Sequence, residues 1–201
     1  MKIIGIVGGV ASGKSTITVL LEELGAVTID VDKLAHHLLR QEEVHRHAEA
    51  RWGKEVFLQN GEIDRRRIGQ IVFSDDTGKE LKYWETFLFP RIEAALEQEL
   101  DVLRTQGTTV VVVDAAVLLK AKWDHLCDAI VYVHATEEQR LARARRRGWS
   151  DENFHAREFS QTPVDMKRTR ADYIIDNSGT LNETKAETKQ FWQRLGENDT
   201  A

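Results

Sequence analysis

The stretch GGVASGKST, Gly8–Thr16, sets Gly8, Gly13, Lys14 and Ser15 at the spacing G-x-x-x-x-G-K-[ST]. Residue types in this order can cradle a phosphate. The glycines let the backbone of Gly8, Gly9, Val10, Ala11, Ser12 and Gly13 curl until successive N–H groups converge on one anion. A helix opening at Lys14 adds its positive dipole end. Lys14 supplies a point charge for β- and γ-phosphates, and the Ser15 hydroxyl is a ligand for Mg²⁺. A chance match in a chain of this length is on the order of one per cent. The alternative, a glycine-rich strand-to-helix turn that binds nothing, leaves the lysine without a purpose.

A phosphate loop alone does not separate kinases from GTPases and motor ATPases. The chain has no Asn-Lys-x-Asp stretch to read guanine and is short for a motor. Two features favour a kinase. In IDVD, Asp30 and Asp32 lie two apart at the end of a short apolar run, a spacing that puts both on one face of a strand. A carboxylate there can take the proton of an attacking hydroxyl; equally, Asp32 can cap the helix that KLAHHLL begins. In RLARARRRGW, helical spacing gives Arg140, Arg143 and Arg147 one face, suited to the charge on a transferring phosphoryl group. A solvated face paired with Glu137 and Glu138 is the plainer account. Asp114 ends the most apolar run, where a carboxylate can meet Mg²⁺ through water or simply close a strand. Trp123, Trp149 and Trp192 read as packing residues rather than base-stacking platforms.

The elements that must hold these groups alternate. Apolar, β-branched runs at 2–7, 26–30, 108–114, 128–133 and 171–176 read as buried strands. Helical spacing follows at 14–24, at 136–147 and from about 181 to 195, and Gly148 suits a hinge to a mobile lid. Such alternation predicts an α/β fold with a parallel sheet, TTVVVVD lying centrally because it is a continuous apolar run. The mostly helical stretch between the second and third strands predicts a side lobe over the sheet's carboxyl edge, where ligands bind in such folds. The whole reads as one domain over 1–201. Its core is about 1–31 and 106–201, its acceptor-side lobe about 32–105 and its lid about 140–165.

The 201 residues, 41 % hydrophobic and 30 % charged, describe a soluble globular chain. A net charge of −5 argues against a nucleic-acid partner. No apolar run approaches a membrane span. The lone Cys127 forms no internal disulfide and has no zinc-ligand spacing with the histidines, so a reducing, cytoplasmic setting is expected. The chain is expected to be a monomer or a weak homo-oligomer.

Together, GGVASGKST, VTIDVDKLAHHLL, NGEIDRRRIGQIVFSDD, the arginine-rich helix and REFSQTPVDMKRTRADYIIDNSGT resemble the dephospho-CoA kinase family over nearly the whole chain. The resemblance implies a three-layer P-loop kinase fold with a helical side lobe and a lid. It also implies ATP and Mg²⁺ as cofactors, and transfer of phosphate to the ribose 3′-hydroxyl of dephospho-CoA. By position it makes Asp32 the general base, and Lys14, Ser15 and Thr16 the phosphate and Mg²⁺ residues. Arg140 and Arg143 become lid arginines, Asn177 a neighbour of the adenine, and Asp64 and Arg65 part of the acceptor site. The chain departs from the family's usual Leu-x-His-Pro, with Phe89 before Pro90, and from D-x-P-L-L-x-E, with Ala116 and Lys120 in DAAVLLK. These departures keep two other readings open: a kinase for another small acceptor, and a non-catalytic nucleotide-binding protein.

Overall fold

A computed structural model describes residues 1–197. The chain falls into two compact units, one formed by Met1–Asp30 and the chain from Leu100 onward, the other by Val31–Glu99.

The first unit is built on five parallel strands: β1 (Lys2–Gly8), β2 (Val27–Asp30), β3 (Val110–Asp114), β4 (Ala129–His134) and β5 (Tyr173–Asp176). Their order is β2-β3-β1-β4-β5. β1, not β3, is therefore the central strand. The valine run of β3 is buried because β1 and β2 flank it and both its faces are covered, which apolar continuity cannot distinguish from being the middle strand. On one face of the sheet Ile4 and Ile6 pack with Ile17, Leu20 and Leu21 of α1 (Lys14–Glu23) and with Phe191 and Leu195 of α9 (Leu181–Glu197). Trp192 packs against this core and Trp123 is fully buried, so both indoles serve packing. On the other face Gly5 has no room for a side chain, since a Cβ would run into Ile130, Leu118 and Cys127. Burial there, with Asp124 and Asp128 nearby, pushes the Cys127 thiol up to about 12 and makes it inert.

After β4 come α6 (Glu137–Arg146), α7 (Asp151–Phe159) and α8 (Val164–Arg170), with α8 lying against β1 and β4. α6 starts in a capping box in which Thr136 and Gln139 satisfy each other's backbone N–H groups. That fixes the helix phase, and with it the direction of Arg140 and Arg143.

The second unit holds α2 (Val31–Leu38), α3 (Glu42–Trp52), α4 (Arg65–Ser74) and most of α5 (Lys79–Thr105), which has Pro90 in its interior. A hairpin-like turn carrying NGEID is closed by a bridge between Phe57 and Ile63. Among the described residues no helix is long and apolar enough to cross a membrane.

Candidate active site

The carboxyl end of β1 runs into α1 through Gly8–Gly13, and the geometry there requires the glycines. A Cβ on Gly8 would lie 2.5 Å from Ser12 Oγ and 2.9 Å from the Val133 carbonyl oxygen. Gly13 caps α1 at φ 98°, a left-handed conformation that favours glycine, and Ala11 at φ 59° makes the loop's other left-handed turn. Gly13 brings no capping side chain, and the first turn of α1 holds no acidic residue. The positive end of the helix thus keeps its charge for a ligand. Lys14 is half-buried and Ser15 exposed at this end. Ser12 Oγ is buried without a hydrogen-bond partner, an orphan of a kind suited to an anion's oxygen.

The carbonyls of the loop are tied down one residue in two. Gly8 O accepts from Lys167 Nζ at 3.0 Å and Val10 O from Arg140 Nη1 at 3.4 Å. Ser12 O accepts both from Arg143 Nη1 at 2.9 Å and from Asn177 Nδ2 at 2.7 Å. In a trans peptide the C=O of one residue and the N–H of the next point opposite ways. No peptide in the described chain is cis. Fixing the carbonyls of Gly8, Val10 and Ser12 to these side chains therefore turns each of the N–H groups of Gly9, Ala11 and Gly13 away from the side chain that holds its own peptide. Backbone N–H groups left in this way suit an anion nest, with Lys167, Arg140 and Arg143 on the carbonyl side.

Each of these side chains is itself held. Arg140 is 4 % exposed, ion-paired with Glu158 and lying over the Phe154 ring, with its Nε buried and unpartnered. Arg143 also donates to Asn177 O at 2.7 Å. Burial, with Arg146 and Arg147 nearby, lowers its pKa from the usual guanidinium value. Asn177 is 8 % exposed and its amide oxygen accepts from Thr184 Oγ1 at 3.0 Å. Val10 packs with Ala144 and Phe154, against which Ala11, Leu141 and Trp149 are set. Trp149 also lies under the Arg157 guanidinium at 4.3 Å.

The loop gives a direct mutational test. In Gly13→Ala the new Cβ would overlap the Asn177 amide while the residue keeps a positive φ. We expect about 1–3 kcal/mol of destabilisation from the backbone alone. Nucleotide binding should fall with it, read by thermal unfolding and calorimetric titration.

The carboxylates stand elsewhere. Asp114 ends β3 in register with Ile6 of β1 and with Asp30 of β2, so Asp30 and Asp114 are neighbours on the carboxyl edge of the sheet. The strand stops at Asp30, and Val31 already begins α2. Asp30 and Asp32 therefore do not share a strand face, as their spacing suggested. Asp32 sits exposed in the first turn of α2, inside the helix rather than at its cap. Ser15 and Asp114 offer the hard oxygen atoms that Mg²⁺ prefers; two such ligands suit an ion that keeps waters and phosphate oxygens around it.

In the second unit Asp64 caps α4, its Oδ1 accepting from the N–H groups of Arg66 and Arg67 at 3.0 Å each. Arg65 Nη1 lies 3.1 Å from His36 Nδ1. Phe89 lines a cavity of about 270 Å³ together with Arg65, Leu39, Ile68, Trp84 and Leu88. Ala116 and Lys120, both half-buried, follow β3 in a run of turns.

Sequence reasoning missed Lys167 and Glu158. Lys167 stands in a run of basic residues, KRTR, that reads as solvated. The available signal was its helical spacing with Val164 and Ala171, both partly buried.

Residues 2–183 match the CoaE family, described as dephospho-CoA kinase. The curated dephospho-CoA kinase of Symbiobacterium thermophilum is 36 % identical over 195 residues, 96 % of this chain and 81 % of that one. That of Geobacter sulfurreducens is 36 % identical over 96 % of this chain and 98 % of its own. Among solved structures, a dephospho-CoA kinase from Campylobacter jejuni superposes with a TM-score of 0.72 at 25 % identity, covering 99 % of this chain and all of the other. A shikimate kinase from Acinetobacter baumannii, at TM-score 0.53 and 16 % identity over 98 % of this chain and 94 % of its own, shares the fold.

Proposed function

The chain belongs to the dephospho-CoA kinase family, and from that premise we propose how its own residues divide the work of moving a phosphoryl group from ATP to the ribose 3′-hydroxyl of dephospho-CoA. The observation that carries the reading is the phosphate loop, with the carbonyls of Gly8, Val10 and Ser12 all turned onto Lys167, Arg140, Arg143 and Asn177. The nest of N–H groups this leaves, with the uncapped end of α1, suits the phosphates of ATP. Lys14 stabilises the charge that builds on the β- and γ-phosphates as the bond between them breaks. Ser15 and Asp114 are the residues that would hold Mg²⁺, and Thr16 belongs to the phosphate loop. When bound, the ion neutralises phosphate charge and aligns the phosphate oxygens.

The acceptor oxygen attacks the γ-phosphorus, the bond to the β-bridging oxygen breaks, ADP leaves, and the hydroxyl proton passes to the Asp32 carboxylate. Asp32 follows the end of β2 by two residues, on the carboxyl side of the strand, where open parallel sheets bind ligands. Arg140 and Arg143 are already drawn to the loop by its carbonyls. Compensating the charge of the triphosphate requires no large search by either side chain. Asn177, fixed between Ser12 and Thr184, is assigned to the adenine side. Asp64 and Arg65 are assigned to the acceptor, Asp64 by ordering the first turn of α4 that carries Arg65. The chain is expected to act as one kinase domain, as a monomer or weak homo-oligomer, in the cytoplasm.

The changes at Phe89, Ala116 and Lys120 bear on which acceptor is taken. A panel with ADP release as readout decides it. Dephospho-CoA is expected to release ADP well above the rates with nucleoside monophosphates and simple alcohols. No release with dephospho-CoA, but release with another acceptor, would overturn the assignment. ATP binding without release on any acceptor would mark a non-catalytic protein.

A further inference from the structure

Lys167 is an expensive residue to place where it lies. It is 4 % exposed in α8, and a buried ammonium loses most of its hydration. The two contacts it makes are specific: Nζ donates to Gly8 O at 3.0 Å and to Gln161 Oε1 at 2.7 Å. The groups facing it are mostly of its own sign. Lys14 and Arg140 repel it, and Glu158, already paired with Arg140, is the acidic group that favours its charge. A buried cation between two others stabilises the empty protein poorly. It becomes favourable when a polyanion enters the loop that all three surround.

We propose that Lys167 is a positioning residue for the phosphate loop, holding the Gly8 carbonyl outward and lending its charge to the site when the triphosphate binds, with Gln161 fixing its ammonium. The inference rests on the reading of Gly8–Ser15 as an ATP site. It also gives Gln161 a role, since its amide oxygen accepts from the lysine and orients it.

The pH dependence follows with a definite sign. Burial, Lys14 and Arg140 bring Lys167 down to about 8 in the empty protein. Phosphate charge favours the ammonium, so the bound form holds its proton to higher pH. ATP binding therefore takes up a proton above pH 8, and affinity falls as the free protein loses that proton. The expected loss is about fourfold between pH 7.5 and pH 9 when the charge is worth about tenfold in affinity. In the empty protein the sign is opposite. A lysine depressed below its ordinary value destabilises the fold while protonated, and that penalty lessens as pH rises from about 8 towards the unfolded value near about 10.4.

Calorimetric titration of MgATP into the wild-type protein and the Lys167→Gln and Lys167→Arg variants, between pH 7.5 and pH 9, tests this. Lys167→Gln should bind about tenfold more weakly at pH 7.5 and show no further loss by pH 9. Lys167→Arg, whose guanidinium stays protonated, should recover part of the affinity with a flat profile. Should neither variant fold, buffers of different ionisation enthalpy still measure proton uptake by the wild-type protein at pH 8.5. Uptake supports the proposal, and none overturns it. A break near pH 8 that persists in Lys167→Gln overturns it as well, as does wild-type affinity in that variant at pH 7.5. Absence of wild-type MgATP binding at pH 7.5 would instead overturn the ATP-site reading itself, and the inference with it.

Discussion

Asp32→Asn should turn over dephospho-CoA about 10²–10⁴ times more slowly than the wild-type protein while binding ATP within about twofold, the range a general base contributes to a proton transfer. Asparagine keeps the size and a hydrogen-bonding oxygen but cannot take the proton of the 3′-hydroxyl. The competing account is structural. Asp32 lies in the first turn of α2, where a carboxylate near the helix dipole stabilises by about 0.3–1 kcal/mol. On that account the variant melts slightly lower and its kcat is unchanged. Thermal unfolding and steady-state kinetics on one preparation separate the two, and an unchanged kcat would remove the base assignment.

Lys14→Ala should lose on both counts: about tenfold or more in ATP affinity and about 10²–10³ in turnover, as expected when a preorganised charge is taken from a transferring phosphoryl group. The backbone carbonyl of Lys14, which accepts from Thr18 Oγ1 at 3.0 Å, survives the change, so α1 should start as before. The variant also bears on Lys167. Lys14 is among the charges that lower that lysine, so removing it shifts Lys167 back towards its ordinary value and moves the break in ATP affinity above pH 8. Titration over the same pH range reads both effects, and wild-type affinity and rate would contradict the role given to the loop.

The strands and the phosphate loop were legible because local chemistry fixes them. β-branched runs bounded by glycine make buried strands, and G-x-x-x-x-G-K-S leaves the backbone few alternatives. The order of the strands was less legible. β3 carries the purest valine run, yet β1, interrupted by Gly5, is the centre; at that glycine a Cβ would run into Ile130 and Leu118. IDVD read as one strand face because alternation extends as easily through Val31 as it stops at Asp30; only the start of α2 decides it. RLARARRR showed a basic helix face, but not that Arg140 would be buried against the Val10 carbonyl and Glu158. Lys167 was hidden for the same reason. Burial of a cation depends on contacts about 160 positions away in the chain, with Gly8, and no local pattern records them.

Phe89 shows where motif reading and geometry join. Its change from the family's histidine reads from sequence as a lost polar group. In the structure it faces a cavity of about 270 Å³ lined by Leu39, Ile68, Trp84 and Leu88, with Arg65 as the charged member. A phenylalanine there keeps the wall apolar, with Arg65 as its cation.

The most direct test of the whole account is the identity of the product. The purified protein, incubated with MgATP and dephospho-CoA, should release one ADP for each dephospho-CoA consumed. The product should carry one additional phosphomonoester whose phosphorus couples, in a ¹H–³¹P correlation spectrum, to the ribose 3′ proton. A new phosphomonoester coupled to any other position, or none while ATP is bound, would contradict the assignment of acceptor and reaction.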